Sequence, residues 1–522
     1  MIMTTKTLTQ NTSNGTAPWQ KWAALALLMV PVLLVAVDNT ALTFALPAIA
    51  SSLQASGVEL LWIIDAYPLV LAALLVAMGN LGDRIGRRKL LMIGSAGFGL
   101  ASIAAAFSPT AGALIAGRAA LGLFGATLMP STLSLIRNIF TDNNQRRLAI
   151  AIWAAFFSGG AALGPIVGGW LVDHFWWGAV LMMPAFLLAP LLVLGTRMIP
   201  ESKDNSPHPI DVPSVFLSIL SMGPVAVAIK ELTVHGFEPL PLALAFFGLG
   251  MGVLFVRRQR RIPAPMLDVA LFTNPVFSTS IAANVLSFVS MTGFIFFFSQ
   301  HLQLVEGMSP FQAGITLLPA SVATIIAGLS SVPLVRALRP GTVVTAGLSL
   351  STTAYVLVAL FGNSVGMPVF LLAVYLLSIG IGAAETISND LIMGSVPPEK
   401  AGAASAISET GYEFGALLGT AILGSILTAS YQQHLRLPAG LSEADGHAAK
   451  ETLAGAIDVA HRVGGELGHQ LTTTAQHAFD SGVTITAAIG ALLMVSVTIA
   501  AAIGLRKVPR ATKESQQERP GH

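Results

Sequence analysis

Gly79-Asn-Leu-Gly-Asp83-Arg84-Ile-Gly86-Arg87-Arg88-Lys89 lies between two apolar runs, near 58–80 and 89–108. Each run can cross a hydrocarbon core of about 30 Å, which takes about 20 helical residues. Three glycines, one acid and four cations in so short a link describe a tight turn between two membrane helices. Its positive charge marks the cytoplasmic face. Asp83 among those cations can hold a charge latch there.

Outward from this turn the pattern repeats. Further runs lie near 22–47, 111–136, 148–172, 175–197, 213–230 and 239–256, then near 274–299, 311–335, 340–361, 367–395, 401–428 and 482–505, fourteen in all. The chain has 522 residues, 54% hydrophobic and 10% charged, with mean hydropathy +0.73. A soluble domain carries about 25% charged residues, so a soluble enzyme, a nucleic-acid binder and a disordered scaffold are excluded. There is no cysteine and no Gly-Lys dipeptide, hence no disulfide, thiolate nucleophile or Walker loop. The run starting at Trp22 exceeds a signal-peptide core and reads as an uncleaved first span.

The distribution of cations tests the count. With the N-terminus inside, the inner segments hold 23 of the Lys and Arg residues, while the outer ones hold only Lys230, Arg436, Lys450 and Arg462. Both termini therefore read as cytoplasmic. The expected organisation is a tail (1–21), a first six-helix bundle (22–197), a two-helix segment with its linkers (198–261), a second bundle (262–505) and a tail (506–522). The outer loop at 430–480 holds five histidines, which read as solvated rather than as metal ligands. Trp176 and Trp177 fall where an outer interfacial belt is expected, Trp19 and Trp22 where an inner one is.

An ionisable side chain within hydrocarbon costs at least roughly 2.5–3.5 kcal/mol, so function is its default reading. The intramembrane set is Asp38, Asp65, Arg118, Glu385, Asp390, Glu409 and Glu413, six acids against one base. Glu409 and Glu413, at i and i+4, share one helix face and should not ionise independently. Asp65, near the outer end of span 2, reads equally well as interfacial, and Asp390 lies nearer the cytoplasmic end. Span 5 carries Gly160-Ala-Ala-Leu-Gly164-Pro165-Ile-Val-Gly168-Gly169. Its small residues let helices approach closely, and Pro165 weakens the local ladder. No histidine lies mid-span, so metal-dependent chemistry lacks ligands and no metal or other cofactor is expected.

The turn after span 2 resembles the signature loop of the major facilitator superfamily, G-x-L-a-D-R-x-G-R-[RK], at Gly79, Asp83, Arg84, Gly86 and Arg87. The equivalent stretch of the second half, 328–340, keeps Arg336 and Arg339 without an acid, so an asymmetric latch is expected. Gly160, Gly164, Pro165, Gly168 and Gly169 resemble the antiporter motif of the drug-exporting branches. Together with Leu61-Trp-Ile-Ile-Asp65-Ala-Tyr67 and Pro265-Met-Leu-Asp268, these strings look like the fourteen-span drug:proton antiporter branch of the QacA and SmvA type, from about 20 to 505.

That resemblance implies an all-α membrane fold of fourteen helices, two pseudo-symmetric six-helix bundles with spans 7 and 8 inserted. It implies a monomeric secondary transporter of the bacterial inner membrane, driven by the proton gradient, that exports lipophilic cationic drugs, dyes and quaternary ammonium compounds. Asp38, Glu409 and Glu413 carry over as drug or proton sites and Arg118 as the relay cation; Glu385 and Asp65 join them as coupling acids. A proton-coupled importer is the rival reading, disfavoured by the span 5 motif. One departure is that Ala320 to Gly328 is uncharged where some relatives have an acid, so export of dications is not implied.

Overall fold

A computed structural model of the chain describes residues 18–203, 211–235, 238–263, 265–397 and 400–509. The expected tails, apart from 18–21 and 506–509, lie outside the described residues. The helices are α1 (Pro18–Leu53), α2 (Gly57–Ile85), α3 (Arg87–Ala106), α4 (Ala111–Ile139), α5 (Asn143–His174), α6 (Gly178–Met198), α7 (Val212–His235), α8 (Pro239–Gln259), α9 (Pro275–Gln300), α10 (Pro310–Ala337), α11 (Pro340–Val365), α12 (Met367–Gly394), α13 (Ala401–Gly419), α14 (Ser425–His434), α15 (Glu443–Glu451), α16 (Leu453–Val463) and α17 (Gly465–Gly504). No strand occurs among the described residues. Fourteen helical stretches are long and apolar enough to span a membrane, matching the runs read from sequence.

The packing repeats itself. Contacts α1–α5, α2–α4, α3–α4 and α3–α6 recur as α9–α13, α10–α12, α11–α12 and α11–α17. The two halves meet crosswise, α2 on α13 and α5 on α10. Even the helix starts echo one another. Ser56 opens α2 and Ser309 opens α10, each in a capping box closed by Glu59 or Gln312 three residues on. The inserted helices α7 and α8 pack on each other, and α7 also touches α2 and α14. At the base of that hairpin Arg258 Nη2 donates to Asp211 Oδ1 at 2.6 Å. This hydrogen bond holds the Asp211 carboxyl below its ordinary range, against the opposing effect of its partial burial.

Several expectations need correcting. α7 does not stop at 230 but runs on to His235, so Lys230 is not a loop cation; it is fully buried in helix packing. Span 13 continues beyond 428, through a π-turn (Thr420–Gly424) into α14. The last spanning helix, α17, starts at Gly465 rather than near 482, so it runs into the outer loop that also carries α15 and α16. Trp177 is buried and donates to Ser52 Oγ at 3.1 Å, a packing role rather than a belt, whereas Trp176 and Trp19 are exposed. Asp390 is exposed at the end of α12 and drops out of the buried set.

Candidate functional site

A cavity of about 450 Å³ lies between the halves, lined from α1, α2, α4 and α5 on one side and α9, α10, α12 and α13 on the other. Asp38, Arg118, Glu385, Glu409 and Glu413 all line it, although 375 positions separate the first from the last. Phe157, Phe288, Phe296, Met291 and Leu317 supply the apolar wall. Asp65 is not part of the lining.

Arg118 reaches the cavity because α4 has no side chain in its way. A Cβ at Gly122 would stand 2.5 Å from the Tyr67 carbonyl, so its absence lets α4 lie directly on α2. Arg118 Nη1 then meets Asp38 Oδ2 at 2.7 Å, while its Nε donates to the Ile63 carbonyl at 3.1 Å. The guanidinium also sits 4.6 Å from the centre of the Tyr67 ring. Both charged groups are buried, yet among the described residues Asp38 Oδ1 and the Tyr67 hydroxyl have no hydrogen-bond partner. A buried carboxylate with one free oxygen in a cavity wall is equipped to accept a further donor or a cation.

The glycine string of α5 divides into two faces. Gly160, Gly164 and Gly168 point at α1, where added Cβ atoms would stand 2.8 Å from Ala36 Cβ, 3.0 Å from the Val37 carbonyl and 2.6 Å from the Ala41 carbonyl. Gly169, one position off that stripe, packs on the Pro310 backbone of α10, and Gly314 returns the contact on Pro165. Pro165 has no N–H, so the carbonyl of Ala161 loses its intrahelical donor. Thr40 of α1 supplies the replacement, its hydroxyl donating to that carbonyl at 3.1 Å.

On the opposite wall, Glu409 and Glu413 lie one turn apart on α13 and Glu385 stands on α12. Tyr412 stands beside Glu385, and Asn39, next to Asp38, stands beside Glu413, all of them lining the cavity. The two halves thus share one polar cluster across the cavity. Behind Tyr412, Asn284 Nδ2 donates to Asn389 Oδ1 at 3.0 Å and to the Tyr412 hydroxyl at 3.3 Å. Phe288 packs over Tyr412 with ring centres 4.5 Å apart.

Asp65 has a different setting. Its Oδ2 lies 2.8 Å from Lys230 Nζ, both side chains wholly buried, and its Oδ1 accepts from the Thr420 hydroxyl. The interfacial alternative is thereby excluded. The intramembrane inventory gains a second base that sequence reasoning had placed outside.

The halves touch at the end of the molecule that carries Gly57, Asp173 and Ser309. There Ser309 Oγ donates to Asp173 Oδ2 at 2.7 Å, and Leu61 packs against Gly424. The cavity extends toward the other end, to Gly328, Leu329 and Val332. At that end the α2–α3 turn keeps its ion pair to itself, Asp83 Oδ1 to Arg87 Nη2 at 2.8 Å. The clasp comes from a residue not singled out in the sequence. Glu201, after α6, accepts from the backbone N–H of Arg88 at 3.0 Å and of Lys89 at 3.2 Å, capping α3. Gly86, at φ +107°, makes room for that carboxylate, since a Cβ would lie 2.8 Å from it. In the second half Arg339 donates to the Arg506 carbonyl at 3.4 Å, and among the described residues no acid pairs with it.

Crossed helix pairs repeated in two halves around a central cavity are matched by the sequence profile of the Major Facilitator Superfamily over residues 28–420. The chain belongs to the Major Facilitator Superfamily. It is 49% identical over 495 residues to the multidrug efflux pump LfrA of Mycolicibacterium smegmatis, covering 95% of this chain and 98% of that one. It is 36% identical over 487 residues to the methyl viologen resistance protein SmvA of Salmonella typhimurium, covering 92% and 97%. Among solved structures, a bacterial homologue of the human lysosomal transporter Spinster, in an inward-facing and unoccupied conformation, superposes with TM-score 0.67 at 15% identity, over 96% of this chain and 100% of that one. As a facilitator-superfamily protein the chain is a transporter, not an enzyme.

Proposed function

We propose that this transporter is a proton-driven exporter of lipophilic cations, including dyes, quaternary ammonium compounds and cationic antibiotics. One observation carries the reading: four carboxyl groups, Asp38, Glu385, Glu409 and Glu413, face a single guanidinium, Arg118, across an aromatic-bearing cavity. Such a wall selects for a cation with apolar bulk, and the same carboxyls bind protons. Entry of the cation favours the doubly ionised Glu409–Glu413 pair and displaces the proton that the pair shares. Binding and proton release are then one event. Proton loading of Asp38 in turn loosens Arg118, which couples the first half to the second.

The bundles 22–197 and 262–505 are the bodies that rock about the cavity by alternating access, with 198–261 inserted between them. Both termini are cytoplasmic, so the end bearing Gly57 and Ser309 is the outer one and the cavity opens inward. The protein resides in the bacterial inner membrane and works as a monomer. Methyl viologen, for which the SmvA relative is named, carries two charges. Here α10 offers Leu317, Ala320, Ser321 and Thr324 to the cavity and no acid. The glutamates of α12 and α13 can offset a second charge without it.

Ethidium efflux from cells, with and without a protonophore, tests the reading. Protonophore-sensitive efflux supports it; efflux indifferent to the proton gradient overturns the coupling. Counterflow in vesicles of known orientation separates export from import.

A further inference from the structure

Lys230 is the one buried lysine among the described residues. It stands on the inserted helix α7, outside the cavity. Its ammonium lies 2.8 Å from Asp65 Oδ2 on α2 and 3.7 Å from the centre of the Trp62 ring, one turn earlier on the same helix. The other oxygen of Asp65 accepts from Thr420, the first residue of the π-turn on the far side of the seam. α7 itself touches α2 on one side, and the π-turn and α14 on the other. One carboxylate therefore joins three elements: α2 from the first half, α13 from the second, and the inserted helix laid over both.

The two bonds to the carboxylate are not equally replaceable. If Thr420 leaves Asp65, its hydroxyl still has the Leu417 carbonyl at 3.1 Å and the Ala416 carbonyl at 3.3 Å. If Lys230 leaves, two opposite charges are stranded in apolar packing, the costliest arrangement available to them. Lys230 thus fixes where the Asp65 carboxylate is held, and the carboxylate offers Thr420 its acceptor across the seam. Leu61, one residue before Trp62 and four before Asp65, packs on Gly424 and closes the same joint.

We propose that Lys230 is a positioning residue that buckles α7 across the α2–α13 seam, making the inserted helix pair a strap that holds this end of the transporter shut. It rests on the reading that the two halves part alternately at their two ends. The inserted helices are then part of the transport cycle, not a spacer between bundles. Asp65 belongs to this joint and not to the set of cavity carboxyls that exchange protons for cargo.

The chain has no cysteine, so one introduced thiol reports alone. Leu61→Cys puts that thiol in the seam at a position with no exposure. Its rate of reaction with a water-soluble maleimide is measured on the full-length protein in detergent micelles, with the melting temperature of each sample as a check on folding. Lys230→Met should raise the rate roughly tenfold, as a shift of the closed state by one decade of population requires. The double variant Lys230→Met/Asp65→Asn should also react faster than its parent, although it strands no charge. Thr420→Val should act in the same direction and less strongly. A double variant that folds and reacts at the parent's rate overturns the proposal, even where Lys230→Met alone fails to fold. The readout needs neither cargo nor a proton gradient, so it stands or falls apart from the export reading.

Discussion

The Asp38–Arg118 and Asp65–Lys230 pairs are alike in chemistry and opposite in setting. The separations are 2.7 Å and 2.8 Å, and all four side chains are buried. Asp38 belongs to the cavity wall and keeps one oxygen unengaged among the described residues. Asp65 is behind the wall, with one oxygen on Lys230 and the other on Thr420. A buried ion pair is therefore not a functional assignment in itself. On the proposed function, the mark of an exchange site is a spare acceptor in contact with the space where cargo fits, which Asp38 has and Asp65 lacks.

The largest effect should come from the pair in the wall. Asp38→Asn should abolish ethidium efflux while the protein remains inserted. Arg118→Ala should do the same and also destabilise the fold by about 3–5 kcal/mol, because it leaves a buried carboxylate unpaired. Wild-type efflux by a correctly inserted Asp38→Asn protein would break the contrast between the two acids. Next come the glutamates. If one proton leaves for each monocation bound, dye affinity in detergent should rise about tenfold per pH unit across the range where the pair titrates. Glu409→Gln should flatten that slope and Glu409→Gln/Glu413→Gln should remove most of it. An unchanged slope would move the exchange site to Asp38.

Smaller effects are expected away from the cavity. Asp83→Ala and Glu201→Gln should each lower turnover several-fold while leaving equilibrium dye affinity intact, since both loosen the α2–α3 turn and touch no cavity group. Affinity falling in step with turnover would show that the turn shapes the site itself. The smallest concerns Asp211, whose carboxyl is held below its ordinary range by the Arg258 hydrogen bond. A depressed folded value means that the stabilisation is complete above the unfolded value and is lost as pH falls through the folded one. Asp211→Asn should thus lower the melting temperature by about 1–2 °C at neutral pH, the scale of a weak surface pair, and the difference should vanish only in strong acid. A gap that instead closes between pH 8 and 6 would contradict this assignment.

The fourteen spans and the Asp38, Arg118 and Glu385 to Glu413 constellation were legible in the sequence because each is a local signal, a long apolar run or a charge inside one. Lys230 was not, since an ammonium near the end of an apolar run reads as the start of a loop. Only its pairing with Asp65, 165 positions earlier, shows otherwise. Glu201 was hidden for a related reason. It sits in a polar linker where an acid is unremarkable, and its closest partners across the turn are backbone N–H groups that carry no side-chain signature, with the Arg88 guanidinium farther off at 3.7 Å. The glycines of α5 were visible as a string, but their division between α1 and α10 depends on how the helix is rotated, which the spacing constrains and the packing decides.

That division bears on how loss of function along α5 is to be interpreted. Substitution at Gly160, Gly164 or Gly168 drives a carbon into α1, so a saturation library should trace a stripe of intolerance every fourth residue, measurable as lost expression before any transport is assayed. Gly169 lies off the stripe and against the other half. Its variants should assemble and yet fail to close, which makes it the position of the motif where genetics can tell assembly apart from the working stroke.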